Sequence, residues 1–449
     1  MRCSMACWPR CRYRGERAVA LTGRAALLAL LGVVWVAVVD PGWRGIGGWL
    51  LVLMLIVGAD LLLAASPRSL RLQREPTSAV RLGEPTATTL TVTNPGRRRM
   101  RGVLRDAWQP SAGAVNDRHR LDLPAGERRR VSTALCPTRR GDRTADRVTV
   151  RSLGPLRVAG RQRSVAVPGV VRALPPFTSR KHLPSRLARL REIDGRSSVN
   201  VRGQGTEFDS LRDYVDGDDV RSIDWRATAR RRSVVVRTWR PERDRRVLLV
   251  LDTSRTAAGR VGDAPRLDAA MDAALLLAAL ASRAGDRVDL LAVDRRVRAR
   301  VEGAGASTLL SSLVNAMAPL EAELIEADWT VAVSAVQARL SRRALVVLLT
   351  PLEAAALEEG LLPVLAQLTR RHQVVVASVA DPVVAAMTRS RGDIDSVYDA
   401  AAAERAGLER ERVTRLITRL GADVVDATPD QLPPALADRY LALKAAGRL

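Results

Sequence analysis

The chain has 449 residues, of which 47% are hydrophobic and 27% are charged. This composition excludes a disordered chain and is sufficient for about two or three folded domains. The formal net charge of +24 comes almost entirely from arginine, because lysine occurs only at positions 181 and 444. The charge reflects either genome composition or attraction to a polyanion, and the scarcity of Phe and Tyr argues against nucleic acid as that polyanion.

Cysteine and histidine are too scattered to form a recognisable site. Cys3, Cys7 and Cys11 lie in a basic tail over residues 1–17, and Cys136 stands alone. No histidine lies near the tail thiols. We therefore predict neither a disulfide framework, nor a zinc site, nor a catalytic Cys/His pair.

Two apolar stretches follow the tail, at residues 18–39 and 46–65. Each is long enough for a helix that crosses a bilayer, which needs about 20 residues. Residues 40–45 leave room only for a hairpin tip, so we predict a two-helix transmembrane hairpin over residues 18–65. Arginines flank both ends of the hairpin, which places both termini in the cytoplasm. The alternative is a cleaved signal peptide, but no small-residue cleavage site follows the first stretch.

Each predicted span contains one charged residue. Arg24 lies near the cytoplasmic start of the first span and Asp60 near the cytoplasmic end of the second, so the two lie at similar depth on antiparallel helices. A charge at mid-bilayer costs roughly 2.5 to 3.5 kcal/mol, which a partner reduces. We predict that Arg24 and Asp60 form a structural intramembrane pair; an ion pathway is the alternative.

Residues 70–170 show short alternating runs separated by turn signals. Residues 88–93, Thr-Thr-Leu-Thr-Val-Thr, alternate polar and apolar side chains, and Asn94-Pro95-Gly96 follows them. Several such runs at intervals of about 8 to 12 residues predict a small antiparallel β-sandwich. The proline-rich residues that follow predict a linker over 171–202.

Residues 203–243 form a block in which aspartates and arginines alternate around a few aromatic residues. One interpretation is a metal-dependent hydrolase that uses the carboxylates between 209 and 224. The other is a network of ion pairs that Phe208, Tyr214 and Trp225 pack against the following domain. The candidate residues of this interaction block are Asp209, Arg212, Asp213, Tyr214, Asp218, Asp219, Arg221, Asp224, Trp225 and Arg230.

Apolar strands alternate with helical segments from residue 244 to the end of the chain. This order predicts a doubly wound α/β domain with a mostly parallel sheet. Residues 296–301 alternate in the manner of an antiparallel edge strand. Ligands of such sheets bind at the carboxyl ends of the strands, where the sequence places Asp252 and Thr350.

The first strand of this domain ends in Asp252-Thr253-Ser254-Arg255-Thr256. Asp252, Ser254 and Thr256 place three hard oxygen donors in one turn, which suits Mg²⁺ or another divalent cation. The alternative is that Asp252 and Ser254 only start a turn or cap a helix, as these residue types commonly do.

This turn and the order of the strands resemble a von Willebrand factor type A domain. The resemblance implies a metal-ion-dependent adhesion site in which Asp252, Ser254 and Thr256 supply the first loop. It places the second loop near Asp328 and the third loop at residues 350–353, which makes Asp328 and Glu353 further candidate metal ligands. The third loop departs from the pattern, because no aspartate follows Thr350 directly.

Residues 208–214, 217–230 and 439–444 together resemble the domain of unknown function 58 family. That resemblance implies a bacterial membrane protein that works with a MoxR-type AAA+ ATPase. It implies a partner relationship and no particular reaction. The predicted function is therefore a membrane-anchored protein-interaction module, which contacts the ATPase and other membrane or envelope proteins, with the hydrolase of the charged block as the alternative.

Overall fold

The computed structural model describes residues 17–77, 79–200, 207–240, 245–390 and 392–449. The chain divides into two compact units, 1–174 and 175–449. The predicted basic tail lies outside the described residues except for Arg17. Cys3, Cys7 and Cys11 lie outside them as well.

The first unit begins with a strand and two apolar helices. The strand β1 (Arg17–Leu21) precedes helix α1 (Gly23–Val38), and helix α2 (Trp43–Leu63) follows after a short turn. Only α2, among the described helices, is long and apolar enough to cross a membrane. The predicted first span was too long, because its first four residues belong to β1 and the helix that remains is short.

The two helices contact each other through their tryptophans. The rings of Trp35 and Trp49 stack with centroids 5.8 Å apart, and the Trp49 indole Nε1 donates to the Leu28 carbonyl at 3.3 Å. This close approach needs a glycine at position 32, since a Cβ there would lie 1.8 Å from the Trp49 ring.

The remainder of the first unit consists of short strands. They are β2 (Arg71–Arg74), β3 (Val80–Arg81), β4 (Thr86–Thr93), β5 (Met100–Trp108), β6 (Ala114–Val115), β7 (Arg118–Leu123), β8 (Arg128–Leu135), β9 (Gly141–Leu153), β10 (Ala159–Val165) and β11 (Val170–Leu174). One sheet has the order β1-β10-β9-β11-β3, with β5 joining β9 to β7, and the other has the order β2-β4-β8-β6.

The two sheets share one apolar core. Leu90 and Val131 come from the smaller sheet, whereas Met100, Leu104 and Val148 come from the larger one, and all five are buried. Along β4 the apolar side chains at 90 and 92 are buried, while Thr89, Thr91 and Thr93, which point to the other face, are partly exposed. This is the alternation that predicted a β-sandwich, and β1 and β11 extend the sandwich beyond residues 70–170 at both ends.

The second unit alternates strands with helices. Its strands are β12 (Glu207–Asp213), β13 (Val235–Arg240), β14 (Arg246–Asp252), β15 (Arg260–Val261), β16 (Ala264–Pro265), β17 (Arg287–Val293), β18 (Val297–Val301), β19 (Leu345–Leu349), β20 (Gln373–Val379) and β21 (Asp423–Ala427). Its helices are α3 (Leu183–Asn200), α4 (Trp225–Arg231), α5 (Arg266–Arg283), α6 (Leu309–Met317), α7 (Trp329–Arg339), α8 (Ala354–Ala356), α9 (Leu362–Thr369), α10 (Pro382–Met387), α11 (Ile394–Arg419) and α12 (Leu432–Ala445).

The main sheet of this unit has the order β18-β17-β14-β19-β20-β21. All its pairings are parallel except that of the edge strand β18, which runs antiparallel to β17 as predicted. Helices α7, α9 and α11 share a core with one face of the sheet. Helix α5 packs on the sheet and on α12. The chain is therefore multidomain with mixed helices and sheets, and its second unit contains the predicted strand and helix alternation.

The segment predicted as a linker, 171–202, is largely ordered. It contains most of β11 and all of α3. Between them, the Thr178 hydroxyl donates to the Asp272 carboxylate of α5 at 2.7 Å, and the Ser179 hydroxyl donates to the same carboxylate at 2.6 Å. The boundary between the two units lies within this segment, after residue 174, and the residues that follow it dock on α5.

Candidate functional site

A crevice opens at the carboxyl ends of β14 and β19. These strands are parallel neighbours in the sheet, and they are the first and fourth strands of the sheet along the chain. The strand order reverses direction at this position, which is where open α/β sheets bind ligands. Asp252 ends β14 and Thr350 directly follows β19, so both face the site that the sequence predicted.

Two hydroxyl groups donate to the Asp252 carboxylate, and a third lies beside them. The hydroxyls of Thr350 and Thr256 donate to Asp252 Oδ2 at 2.7 and 3.1 Å. Ser254 Oγ lies 3.1 Å from Thr256 Oγ1. Asp252, Ser254 and Thr350 are all buried. A buried carboxylate is therefore held mainly by side-chain hydroxyls rather than by a cationic side chain.

The spacing of these oxygens suits a small divalent cation. Mg²⁺ binds oxygen at about 2.0–2.1 Å in octahedral geometry, so adjacent ligand oxygens lie about 2.9 Å apart. The separations around Asp252 Oδ2 are 2.7 and 3.1 Å. A hydroxyl oxygen that donates to a carboxylate can rotate its hydrogen away and offer a lone pair instead. The residues present therefore fit such an ion with little rearrangement.

Asp252 also serves the local turn. Its Oδ1 accepts from the Ser254 backbone N–H at 2.8 Å, which closes a turn of the kind that the alternative interpretation predicted. Ser254 precedes a short helical turn, 255–258, but its side chain makes no capping hydrogen bond. Turn formation and the hydroxyl cluster thus use different oxygens of the same carboxylate.

Two of the predicted metal ligands have other partners. Asp328 caps α7, since its Oδ1 accepts from the backbone N–H groups of Thr330 and Val331. Glu353 pairs with Arg266 at 2.6 Å. Thr350, in the predicted third loop, reaches Asp252 instead. Within the described part of the chain, no group of three or more His, Cys, Asp or Glu side chains could hold a metal ion, so a cation here would depend on hydroxyl ligands.

A small cavity of about 10 Å³ adjoins the cluster and is lined by Asp252, Thr350 and Arg266 among others. Arg266 brings a positive charge to the wall of this cavity, and Glu353 offsets that charge. Sequence reasoning missed Arg266, although it is the first residue of the helix that follows the Asp252 turn.

The charged block forms a hairpin of β12 and β13, with α4 in the connection between them. Arg212 pairs with Asp218 at 2.5 Å, and Arg237 pairs with Asp224 at 2.8 Å. Asp224 also caps α4. Hydrogen bonds from the backbone N–H of Ala227 and from the Arg237 side chain lower the pKa of Asp224.

Two further aspartates of the block also have local hydrogen-bond partners. Asp219 caps the short helical turn 220–222, and Asp213 accepts from the Ser233 hydroxyl at 3.0 Å. Four of the described carboxylates, Asp213, Asp218, Asp219 and Asp224, thus form caps, ion pairs or a hydrogen bond within the block, which favours the structural interpretation. Trp225 is 67% exposed, so the prediction that it packs the block against the sheet was wrong. The side chains of Phe208 and Asp209 lie outside the described residues.

Arg24 and Asp60 meet the β-sandwich rather than each other. The Asp60 carboxylate accepts from the backbone N–H groups of Leu156, Val158 and Ala159 at 2.8–2.9 Å. Arg24 donates to the Leu156 carbonyl at 3.1 Å. Both side chains therefore bind the turn between β9 and β10. The predicted structural role agrees with this geometry, but the predicted direct pair does not form.

Comparisons with solved structures give only distant similarity. They include a CARDB domain from Pyrococcus furiosus, 15% identical, which covers 22% of this chain and 91% of that chain with a TM-score of 0.15. A β-glucosidase from Listeria innocua is 18% identical over 23% of this chain and 16% of that chain, with a TM-score of 0.15. The E. coli chaperone DraB is 15% identical over 23% of this chain and 55% of that chain, with a TM-score of 0.16. Scores this low support no argument about fold or function.

Comparisons with curated sequences give closer relatives. Uncharacterized proteins of Mycobacterium bovis and Mycobacterium tuberculosis are 29% identical over 191 residues. The match covers 40% of this chain and 57% of each relative, so the chain spans little more than half of their length. Residues 210–419, from the charged hairpin to the end of α11, match the family described as "Protein of unknown function DUF58". Over these residues, a little under half of its length, the chain is similar to that family.

Proposed function

We propose that this protein is a membrane-anchored interaction module that docks a partner protein at the Asp252 crevice through a divalent cation. The observation that carries the proposal is the gathering of three hydroxyls at one buried carboxylate, at the edge of a sheet where ligands bind. Asp252, Ser254, Thr256 and Thr350 would hold the ion. The ion would supply an open coordination position that a carboxylate of the partner completes.

The strand order supports the von Willebrand factor A-like interpretation of this domain. An antiparallel edge strand beside parallel strands in the order 3-2-1-4-5-6 agrees with that resemblance. The family resemblance further suggests the partner, a MoxR-type AAA+ ATPase. In this proposal the protein brings the ATPase to the membrane, where it acts on other membrane or envelope proteins.

Anchoring rests on the two apolar helices of the first unit. Helix α2 has 21 residues, about 31 Å at 1.5 Å per residue, which matches the hydrocarbon core of a bilayer. Helix α1 has only 16 residues, about 24 Å, and would need local thinning of the bilayer to span it. The proposed topology has two spans with both termini in the cytoplasm. The β-sandwich would then lie against the cytoplasmic surface, where its β9–β10 turn meets Asp60.

The test is affinity capture of the full-length protein from solubilised membranes, with Mg²⁺ and with EDTA in parallel. We expect an AAA+ ATPase in the Mg²⁺ sample and its loss with EDTA. Asp252→Ala and Thr350→Val should lose it in both samples, because each removes an oxygen ligand. The matched control is Asp263→Ala, which removes a fully exposed carboxylate from the loop before α5.

The possible outcomes separate the parts of the proposal. Capture that is indifferent to EDTA and to Asp252→Ala would retain the partner and reject the cation. Absence of any ATPase under all conditions would reject the proposed partner.

A further inference from the structure

Two exposed apolar surfaces of opposite charge lie on the second unit. The first, the arm surface, occupies the connection between β12 and β13. Its apolar members Val215, Val220 and Trp225 are 61%, 62% and 67% exposed. Arg221, Arg226 and Arg230 are exposed beside them, and no described residue forms an ion pair with these arginines. The same connection also exposes Asp216 and Asp219, but with Arg231 and Arg232 its exposed arginines number five, so the surface is net positive.

The second, the helix surface, is formed by α10 and the first turns of α11, which contact each other. Ile394, Val397 and Tyr398 follow one helical face at spacings of three and four residues, and Ile394 and Tyr398 are 75% and 73% exposed. Val383, Val384 and Met387 are exposed on α10. Exposed apolar patches rimmed by polar groups mark interaction sites.

The rim of the helix surface is acidic, although the whole chain carries a formal charge of +24. Asp395 and Asp399 are exposed one turn apart on α11. Asp381 and Asp393 add two carboxylates as the caps of α10 and α11. Arg389 is the only described cation between residues 381 and 399.

We infer that these surfaces are the two halves of one interface between copies of this chain, in which the arm surface of one copy docks on the helix surface of the next. Opposite charges rim the two apolar patches, which gives electrostatic complementarity. Trp225 and Tyr398 are of the residue types that carry most binding energy in interfaces. One occupant thus accounts for both surfaces.

A lipid surface accounts for only one of them. Arginines with an exposed tryptophan would suit anionic headgroups, but the same headgroups repel Asp395 and Asp399. Because the two patches differ, the contact is heterologous, and repeating it builds a ring or an open chain of copies. This inference is independent of the cation site and of the proposed partner.

The test is mass photometry and analytical ultracentrifugation of the full-length protein in detergent micelles. The wild-type protein should form species larger than a dimer as its concentration rises. Trp225→Ala and Tyr398→Ala should each weaken association by about tenfold or more, since each truncates an interface anchor. Leu408→Ala is the matched control, because Leu408 is exposed on the same helix about 21 Å from Ile394 and should leave association unchanged.

Mixing the two defective variants tests the head-to-tail arrangement. The Tyr398→Ala chain keeps its arm surface and the Trp225→Ala chain keeps its helix surface, so one intact contact forms and a dimer results that cannot grow. Arg226→Glu with Arg230→Glu should abolish assembly, and adding Asp395→Arg with Asp399→Arg in the same chain should restore it. Both pairs are exposed, so folding is not at risk.

Three results would overturn the inference. They are a single monomeric species at all concentrations, assembly that none of these substitutions changes, and a mixture that forms no heterodimer. If Arg226→Glu with Arg230→Glu reduced binding to phosphatidylserine vesicles while the mass distribution stayed the same, the arm surface would belong to the membrane instead.

Discussion

Asp60 in the first unit and Asp252 in the second are both buried carboxylates with several hydrogen bonds, yet their donors differ. Asp60 accepts from three backbone N–H groups, whereas Asp252 accepts from two hydroxyls and one N–H group. An amide N–H can only donate, but a hydroxyl oxygen also has lone pairs that a cation can use. Burial alone therefore does not indicate which of the two carboxylates could bind a cation, whereas the chemistry of their hydrogen-bond donors does.

Removing the Asp60 carboxylate should have the largest effect on the stability of the protein. Asp60→Leu would leave the buried N–H groups of Val158 and Ala159 unsatisfied, at roughly 1–3 kcal/mol each, together with the part-buried N–H of Leu156. The contact between α2 and the β9–β10 turn should therefore lose about 2–6 kcal/mol. Hydrogen exchange should report this as faster exchange of the Leu156, Val158 and Ala159 amides by about a hundredfold.

Membrane insertion of Asp60→Leu provides the control. Leucine enters a bilayer more readily than aspartate, so the variant should resist extraction from membranes as well as the wild-type protein does. Unchanged exchange of the three amides would contradict the structural role of Asp60.

The next largest effect on stability should come from Gly154, which lets the β9–β10 turn approach Asp60 closely. A Cβ at Gly154 would lie 2.0 Å from Asp60 Oδ1 and 2.4 Å from the Asp60 carbonyl oxygen. Gly154→Ala should therefore destabilise this contact by about 1–3 kcal/mol, as overpacking does. The measurement is thermal unfolding of the β-sandwich. Gly58→Ala on α2 is the control and should be neutral, since nothing lies within 4 Å of its new Cβ.

The hydroxyl donors around Asp252 lead us to expect that a divalent cation stabilises the second unit. If the hydroxyls give way to Mg²⁺, the ion at ten times its dissociation constant should stabilise the second unit by about 1.4 kcal/mol. The melting temperature should rise with Mg²⁺ in the wild-type protein and stay constant in Asp252→Asn. Asp60→Leu should retain the response, because its carboxylate is in the other unit. An equal response in Asp252→Asn would place the ion elsewhere.

The sequence predicted features set by local pattern and by sheet topology. The alternating residues of β4 are alternately buried and partly exposed, and the apolar run of β19 is buried throughout, as the sequence predicted. The meeting of Thr350 with Asp252 follows because parallel strands end at the same edge, although 98 residues separate them. Asp328 could also have been recognised, because an aspartate just before a helix is a common cap.

Other features depend on contacts that no local pattern encodes. The amides that hold Asp60 lie 96 to 99 residues away in a turn, and amides give no sequence signal. Residues 18–21 form a strand although they are apolar enough to belong to a transmembrane span. Hydrophobicity does not distinguish a strand from a span in so short a run. Trp225 was assigned to a core because it is large and apolar, but β12, α4 and β13 pack mainly on one another.

The smallest expected effect concerns Asp286, a third buried carboxylate that faces one hydroxyl and one ammonium group. Tyr440 donates to Asp286 Oδ2 at 2.5 Å and Lys444 Nζ lies 3.6 Å from Oδ1. Burial raises the pKa of Asp286 above 3.8, while Tyr440 and Lys444 act to lower it. The folded state therefore holds the proton more tightly than the unfolded state does. This contribution to stability is fully present below pH 3.8 and is lost as the pH rises through the raised pKa.

Asp286→Asn removes this titration, so the free energy of unfolding of the wild-type protein minus that of the variant should fall as the pH rises from 3.5 to 7. Asp263→Asn, at a fully exposed carboxylate, should show no such trend. A difference that is constant with pH would mean that Lys444 and Tyr440 compensate the burial of Asp286 completely. In that case one tyrosine hydroxyl and one lysine ammonium group would together suffice to keep this buried carboxylate ionised in the folded state.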